Sequence, residues 1–238
     1  MGASASDSLQ PFQASPYLFA KIARKTYSSR PVFVSAAEFG GNMKKTVFAI
    51  FTMLFFLHPL SASAAESGLL SSARQEYSLL TGYGITHRGY GETRTEVQTY
   101  DLILRYGHFL SGELGKGHWY QGRHELLLEL PLSIAVNHDC RSMFGATILG
   151  SWKFTGADQF TPYLFIGGGV LYVDLGLPTM GSRLNGAYMA GGGIQHFIRK
   201  DLAIIGEYRY HHISNMNTSS PNEPLNSSKF LIGLSFYR

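Results

Sequence analysis

The residues best suited to chemistry lie near the C-terminus, in residues 210–215, with the sequence YHHISN. His212 and Ser214 are two positions apart, so on a β-strand their side chains point to the same face. A serine hydroxyl is a weak nucleophile until a base removes its proton, and an imidazole is the usual base in ester hydrolysis. The segment therefore predicts a Ser/His esterase at the end of a strand. The alternative is that two polar side chains are simply tolerated there.

Eight short segments of the chain have the apolar alternation and the punctuation by polar, Gly and Pro residues that are typical of strands. Their lengths suit tilted strands that cross a bilayer, which need about 9–11 residues. The pattern predicts an all-β fold and, together with the composition and the export signal described below, an eight-stranded antiparallel transmembrane β-barrel of the outer-membrane type. The predicted strands are Tyr77–Thr86, Val97–Tyr106, Glu125–Ala135, Met143–Phe154, Tyr163–Val173, Gly186–Phe197, Leu202–Ser214 and Lys229–Tyr237.

The alternation also predicts where the candidate residues point. In the seventh segment the even positions are mainly apolar, whereas the odd positions carry Glu207, Arg209 and His211. The lumen of an eight-stranded barrel is filled with side chains, so inward charges pair there while the apolar face meets lipid. This orientation places His212 and Ser214 on the outer wall and His211 in the lumen. A soluble barrel would reverse the two faces, and periodicity alone does not choose between them.

Composition favours the membrane barrel and limits the partners. Hydrophobic residues make up 45% of the 238 residues and charged residues only 15%, with 14 Tyr, 16 Phe and 27 Gly. The net charge of +4 is small and its Lys and Arg residues are scattered, which argues against nucleic acid as a partner. Cys140 is the single cysteine and, with His138 and Asp139 beside it, offers too few ligands for a metal site. No cofactor or metal is predicted.

The N-terminal part of the chain reads as an export signal that is preceded by an extension. Residues 43–65 combine a basic start, a short apolar run and a small-residue cleavage site, which is the pattern of a signal peptide. We therefore expect translation to start at Met43, residues 1–42 to be a mis-assigned N-terminal extension, and residues 66–238 to form the barrel. The alternative is a genuine extension followed by a signal anchor.

The sequence HISN at 212–215, followed by PN at 221–222 and a polar residue at 226, resembles the C-terminal signature of the PagL-type lipid A 3-O-deacylases of the acyloxyacyl hydrolase family. The resemblance is close over the last two strands and their loop; the other six agree in number, length and composition. It implies an esterase of the Gram-negative outer membrane, reached after signal-peptide export. That enzyme would remove the 3-O-linked acyl chain of lipid A. Its partners would be lipopolysaccharide and membrane lipid, with a homodimer as a further possibility.

The resemblance also implies a role for each candidate residue. Ser214 falls on the family's nucleophile, His212 on its general base, and Asn215 with the backbone N–H that follows it on the oxyanion hole. Asn226 stands where the family's prototype has Glu, so it can orient the imidazole but supplies no negative charge. Glu223, three residues earlier, is the alternative acid.

Two other hypotheses compete with the esterase function. A non-catalytic small outer-membrane barrel, structural or surface-binding, is favoured by the missing carboxylate at Asn226. A palmitoyltransferase-like barrel that uses phospholipid as donor is disfavoured by the spacing of the HISN segment.

Overall fold

The computed structural model of the protein describes residue 70 and residues 72–156 and 160–238. The predicted extension (1–42) and signal peptide (43–65) lie outside the described residues. The barrel lies within the compact unit Leu60–Arg238. No helix in the described part of the chain is long and apolar enough to span a membrane.

Eight antiparallel strands form one closed sheet, as the alternation predicts. Each strand pairs with the next in the chain, and β1 pairs with β8 to close the barrel. Closure leaves no unpaired edge, so the strands satisfy one another's backbone groups, as a lipid environment requires. The strands are β1 (Gln75–Thr86), β2 (Gln98–Phe109), β3 (Gly122–Ala135), β4 (Ser142–Phe154), β5 (Phe160–Asp174), β6 (Leu184–Arg199), β7 (Leu202–Ser214) and β8 (Leu225–Tyr237).

The outward face of the barrel wall is apolar, whereas the charged side chains of the strands point into the lumen, which also contains a buried apolar cluster. Leu104, Ile166 and Phe230 point outward and are each more than half exposed. Lumen residues such as Arg105 and Glu129 are buried. An apolar outer band around a lumen that holds the charged side chains is the arrangement of a membrane barrel. The prediction of an outer-membrane type barrel is confirmed.

Ion pairs hold the centre of the lumen. The Arg105 guanidinium contacts Glu129 Oε1 at 2.7 Å and Glu207 Oε2 at 2.5 Å. Arg209 Nη1 lies 2.9 Å from Glu129 Oε2, and the Tyr163 hydroxyl donates to Glu207 at 2.7 Å. Buried charges are tolerated only when they are paired in this way, because each loses its hydration. The lumen is therefore filled by paired charges together with a buried apolar cluster.

The start of β8 differs from the prediction, and the difference matters for the site. The polar residues Asn226, Ser227 and Ser228 suggest a surface loop that runs to 228, whereas the strand begins at Leu225. These polar side chains are buried in spite of their position near the end of the barrel. Position 226 consequently lies on a strand, in fixed register with β7.

Candidate active site

Three neighbouring strands, β6, β7 and β8, carry the candidate residues on the outer wall, at the end of the barrel opposite the C-terminus. The register places His212 opposite Asn226 on β8 and opposite Tyr188 on β6. Ser214 follows two positions later on the same face and pairs with Gly186. Strand parity sets the outward face of His212 and Ser214, and the register of β8 against β7 sets position 226 beside the imidazole.

A hydrogen bond joins His212 to Asn226 and determines which nitrogen of the imidazole carries the proton. His212 Nδ1 lies 2.7 Å from Asn226 Oδ1. Asn226 Nδ2 faces Thr93 Oγ1 at 2.9 Å and the Tyr90 carbonyl at 3.3 Å. A carbonyl oxygen only accepts, so the amide nitrogen must face Tyr90 and the amide oxygen must face His212. His212 Nδ1 then donates, and Nε2 is left with a free lone pair, as a general base needs.

Two tyrosines support this arrangement, and sequence reasoning missed both as site residues. The Tyr188 ring stacks on His212 with centroids 4.3 Å apart and an interplanar angle of 21°. The Tyr210 hydroxyl donates to Asn226 Oδ1 at 2.5 Å. Tyr188 becomes a neighbour of His212 only through the register of β6 against β7. The signal available in the sequence was the position of Tyr210 two residues before His212, on the same face of the strand.

Ser214 is half-buried on the face of β7 that carries His212. Among the described residues its hydroxyl forms no hydrogen bond, either to His212 or to any other group. Nucleophile–base contacts of this kind often shorten only when substrate binds. The neighbouring position on β6 is Gly186, where a Cβ would lie 2.4 Å from the Met216 Cε atom. The Met216 Cε atom is the end of a flexible, exposed side chain that covers this glycine.

Asn215 does not present its side chain as an oxyanion donor, which corrects part of the expectation. Its Nδ2 donates to the carbonyls of Ser219 at 2.9 Å and Pro221 at 3.3 Å. Its own backbone N–H donates to Asn222 Oδ1 at 2.9 Å. Asn215 therefore holds the loop 215–224 in shape. The N–H that follows it belongs to Met216, and no hydrogen bond from this donor is found within the described residues.

The Glu223 carboxylate, the alternative acid, is bound by the segment between β1 and β2 and forms no hydrogen bond to His212 among the described residues. Its Oε1 accepts hydrogen bonds from the backbone N–H groups of Arg94 at 2.7 Å and Thr95 at 2.6 Å. Burial raises the pKa of Glu223, but the nearby Thr179 side chain and the hydrogen bonds from these two backbone N–H groups outweigh burial and hold the pKa below its usual value. The carboxylate anchors the chain between β1 and β2, whereas His212 is oriented by Asn226.

Comparison with known proteins assigns the chain to a family. The family model described as "Lipid A 3-O-deacylase (PagL)" matches residues 89–235. The chain belongs to this family. The matched range contains all the candidate residues on β7 and β8 and the loop between them. None of the curated proteins matches the sequence.

Two solved structures illustrate what this member of the PagL family is similar to. The outer membrane enzyme PagL is 18% identical, with 66% of this chain and 97% of that chain covered and a TM-score of 0.49. Neisserial surface protein A (NspA) is 12% identical, with 69% and 97% covered and a TM-score of 0.49.

This PagL-family chain carries a Ser–His contact at a different place on its outer wall. His87 Nε2 lies 2.8 Å from Ser228 Oγ, and the same hydroxyl lies 2.8 Å from the Tyr208 hydroxyl. Ser228 is only 8% exposed, and its hydroxyl is already hydrogen-bonded to these two side chains. A nucleophile must be reached by its substrate, so Ser214 is the better candidate. Ser228 is a well-matched control, since its side chain lies two residues after Asn226 on the same face of β8.

The described residues contain no group of three or more His, Cys, Asp or Glu side chains that could hold a metal ion.

Proposed function

We propose that this protein hydrolyses the ester that links the 3-O acyl chain to lipid A, in the outer membrane, with Ser214 as nucleophile and His212 as general base. The observation that carries the proposal is the 2.7 Å contact between His212 Nδ1 and Asn226 Oδ1 on the outward face of β7, which leaves Nε2 free on the face that carries Ser214. Membership of the PagL family supports the substrate class.

The reaction follows from the proton positions. Ser214 Oγ attacks the ester carbonyl carbon while its proton passes to His212 Nε2. The carbonyl oxygen becomes an oxyanion, and a preorganised donor such as the Met216 N–H stabilises that charge. The bond from the carbon to the sugar oxygen then breaks, and the sugar oxygen takes the proton from His212. Water, deprotonated by His212, attacks the acyl-serine and releases the fatty acid and the free serine hydroxyl.

Asn226 takes the orienting position in this mechanism. A neutral amide holds the imidazole in the tautomer that has a basic Nε2, as the Asn of Cys-His-Asn proteases does. It adds no negative charge to stabilise the imidazolium that forms in the transition state. We therefore expect a working site with a lower turnover than a carboxylate triad would give.

The outer wall supplies the acyl-chain surface. Beside the site, Leu184, Tyr188 and Phe230 are each more than half exposed on the outward face. Burying an acyl chain against such side chains contributes about 25 cal/mol per Å² of apolar area removed from a polar surrounding, but lipid tails offer a similar contact. The wall therefore orients the chain, and substrate arrives by lateral diffusion in the membrane after export directed by residues 43–65.

The second candidate is a non-catalytic outer-membrane barrel. The observation in its favour is that no hydrogen bond joins His212 and Ser214 in the described residues, together with the neutral side chain at 226. Such a protein would keep the His212–Asn226 contact for stability only.

Mass spectrometry of lipid A separates the two candidates. The full chain is expressed in a bacterium whose lipid A is known, and the lipid A is weighed. We expect the loss of one hydroxyacyl group, abolished by Ser214→Ala and retained with Ser228→Ala, the matched serine on β8. An unchanged lipid A mass in cells whose outer membrane contains the folded barrel would refute the esterase.

A further inference from the structure

The segment between β1 and β2, residues 87–97, contacts the candidate site at Asn226, on the side away from β7. We call it the β1–β2 loop. Thr93 is buried in it, 1% exposed, directly beside Asn226. Three anchors hold the loop against β8: the Glu223 carboxylate on Arg94 and Thr95, and the His87 N–H, which donates to the Asn226 carbonyl at 2.7 Å. The loop is therefore part of the wall behind the site.

All the hydrogen-bonding capacity of the Asn226 side chain is used. An amide oxygen accepts two hydrogen bonds and an amide nitrogen donates two. Oδ1 accepts from His212 at 2.7 Å and from Tyr210 at 2.5 Å. Nδ2 donates to Thr93 Oγ1 at 2.9 Å and to the Tyr90 carbonyl at 3.3 Å. The half of the side chain that faces β7 meets donors, and the half that faces the loop meets acceptors.

The loop presents acceptors rather than donors, for a reason visible in its own hydrogen bonds. The Thr93 hydroxyl donates its proton to the Pro224 carbonyl at 2.9 Å. Its lone pairs therefore face Asn226, where they accept from the side chain at 2.9 Å and from the backbone N–H at 3.1 Å. The Tyr90 carbonyl has no proton to give. A carboxylate at position 226 would place a negative oxygen against these two acceptors.

The close approach of the loop depends on glycine. Gly91 adopts a φ of +58°, a left-handed conformation that glycine adopts without a Cβ penalty. A Cβ at this position would lie 3.3 Å from Asn226 Nδ2. The backbone can therefore pass close to the amide and bring the Tyr90 carbonyl within hydrogen-bonding distance of it.

We propose that the β1–β2 loop is a positioning element of the active site, in which Thr93 and the Tyr90 carbonyl select a neutral amide at position 226. By holding the amide oxygen toward β7, the loop fixes His212 Nε2 as the atom that accepts the Ser214 proton. Thr93 is a positioning residue that acts through Asn226. This inference rests on the proposed esterase activity. It explains Asn at 226 as the residue that its surroundings require.

Removal of the Thr93 hydroxyl at constant shape tests the proposal. Thr93→Val deletes the acceptor for Asn226 Nδ2, and we expect kcat for acyl release to fall on the order of tenfold with KM nearly unchanged. Thr93→Ser keeps the hydroxyl and restores most of the lost kcat. A double variant supplies the readout that a structural role would not move: with Asn226→Ala already present, Thr93→Val lowers kcat no further, because its route to His212 is gone.

Asn226→Asp tests the selection of an amide with a side chain of the same shape. It supplies the charge that an ordinary triad uses, yet at neutral pH it faces the two loop acceptors, so we expect kcat to fall on the order of tenfold below the native chain. A kcat equal to or above the native value overturns the proposal. So does an unchanged kcat in Thr93→Val. If Thr93→Val does not fold, Asn226→Asp alone decides.

Ser214→Ala, run in parallel, separates this inference from the proposed function. If Ser214→Ala is inactive while Thr93→Val and Asn226→Asp are fully active, the esterase stands and the positioning role of the loop is refuted. If Ser214→Ala is active, the esterase mechanism and the inference both fail.

Discussion

Removal of the Asn226 side chain is the most informative single perturbation of the site. Asn226→Ala deletes the acceptor of the His212 Nδ1 proton at 2.7 Å and of the Tyr210 hydroxyl at 2.5 Å. The imidazole is then free to rotate and to take the tautomer that protonates Nε2. The loss of a hydrogen bond to a buried partner costs about 1–3 kcal/mol, which corresponds to a fall of roughly 5- to 150-fold in kcat at about 1.36 kcal/mol per tenfold.

The assay is the rate of fatty-acid release from purified lipid A in detergent, with kcat and KM measured separately. The matched control is Ser228→Ala, which also deletes two hydrogen bonds, to His87 and Tyr208 at 2.8 Å each, from the same face of β8. We expect that control to keep kcat within about twofold, since such losses away from the reacting atoms act on stability. If Asn226→Ala has the kcat of the native chain, the orienting role of Asn226 is wrong.

Three further predictions follow from other contacts. Tyr188→Leu removes the ring stacked on His212, worth about 0.5–1.5 kcal/mol, so kcat should fall roughly 2- to 12-fold while Tyr188→Phe stays near native; equal kcat in both variants would contradict the role of the stack. Asp101 lies 2.5 Å from Lys229 Nζ in the lumen, so Lys229→Met leaves a buried carboxylate without its cation. The free energy of unfolding should fall by about 3–5 kcal/mol in denaturant titrations in detergent. No change would show that the ion pair is dispensable. Because the pKa of Glu223 is lowered, its carboxylate stabilises the β1–β2 loop fully above the usual glutamate pKa, and this stabilisation is lost as the pH falls through the lowered pKa. Hydrogen-exchange protection of the Arg94 and Thr95 amides should therefore fall in acid. Glu223→Gln should remove that pH dependence.

The outward position of the candidate pair was predictable because strand alternation is a local property. Side chains at i and i+2 share a face, so His212 and Ser214 had to point the same way and His211 the opposite way. The structure places His211 among the buried lumen residues, in agreement with parity. The same rule puts Asn226 on the face of Phe230, because the structure begins β8 at Leu225.

The choice between Asn226 and Glu223 was not available from the sequence. Both residues are polar, lie close together in the sequence and can accept a hydrogen bond from an imidazole. The register of β8 against β7 sets Asn226 directly opposite His212. Glu223 lies before the strand, where the backbone N–H groups of Arg94 and Thr95 take its carboxylate.

The sequence by itself determined the number and alternation of the strands, the HISN segment at 212–215 and the face on which His212 and Ser214 stand. Only the tertiary structure decided what surrounds Asn226. Thr93 is 133 positions away from Asn226 in the chain, and the two meet because β1 pairs with β8 to close the barrel. Hydrogen bonds between such distant residues depend on register and loop path, which leave no local periodicity in a sequence. The neutral residue at 226, which had looked like the weak point of the site, is the residue that those hydrogen bonds fit.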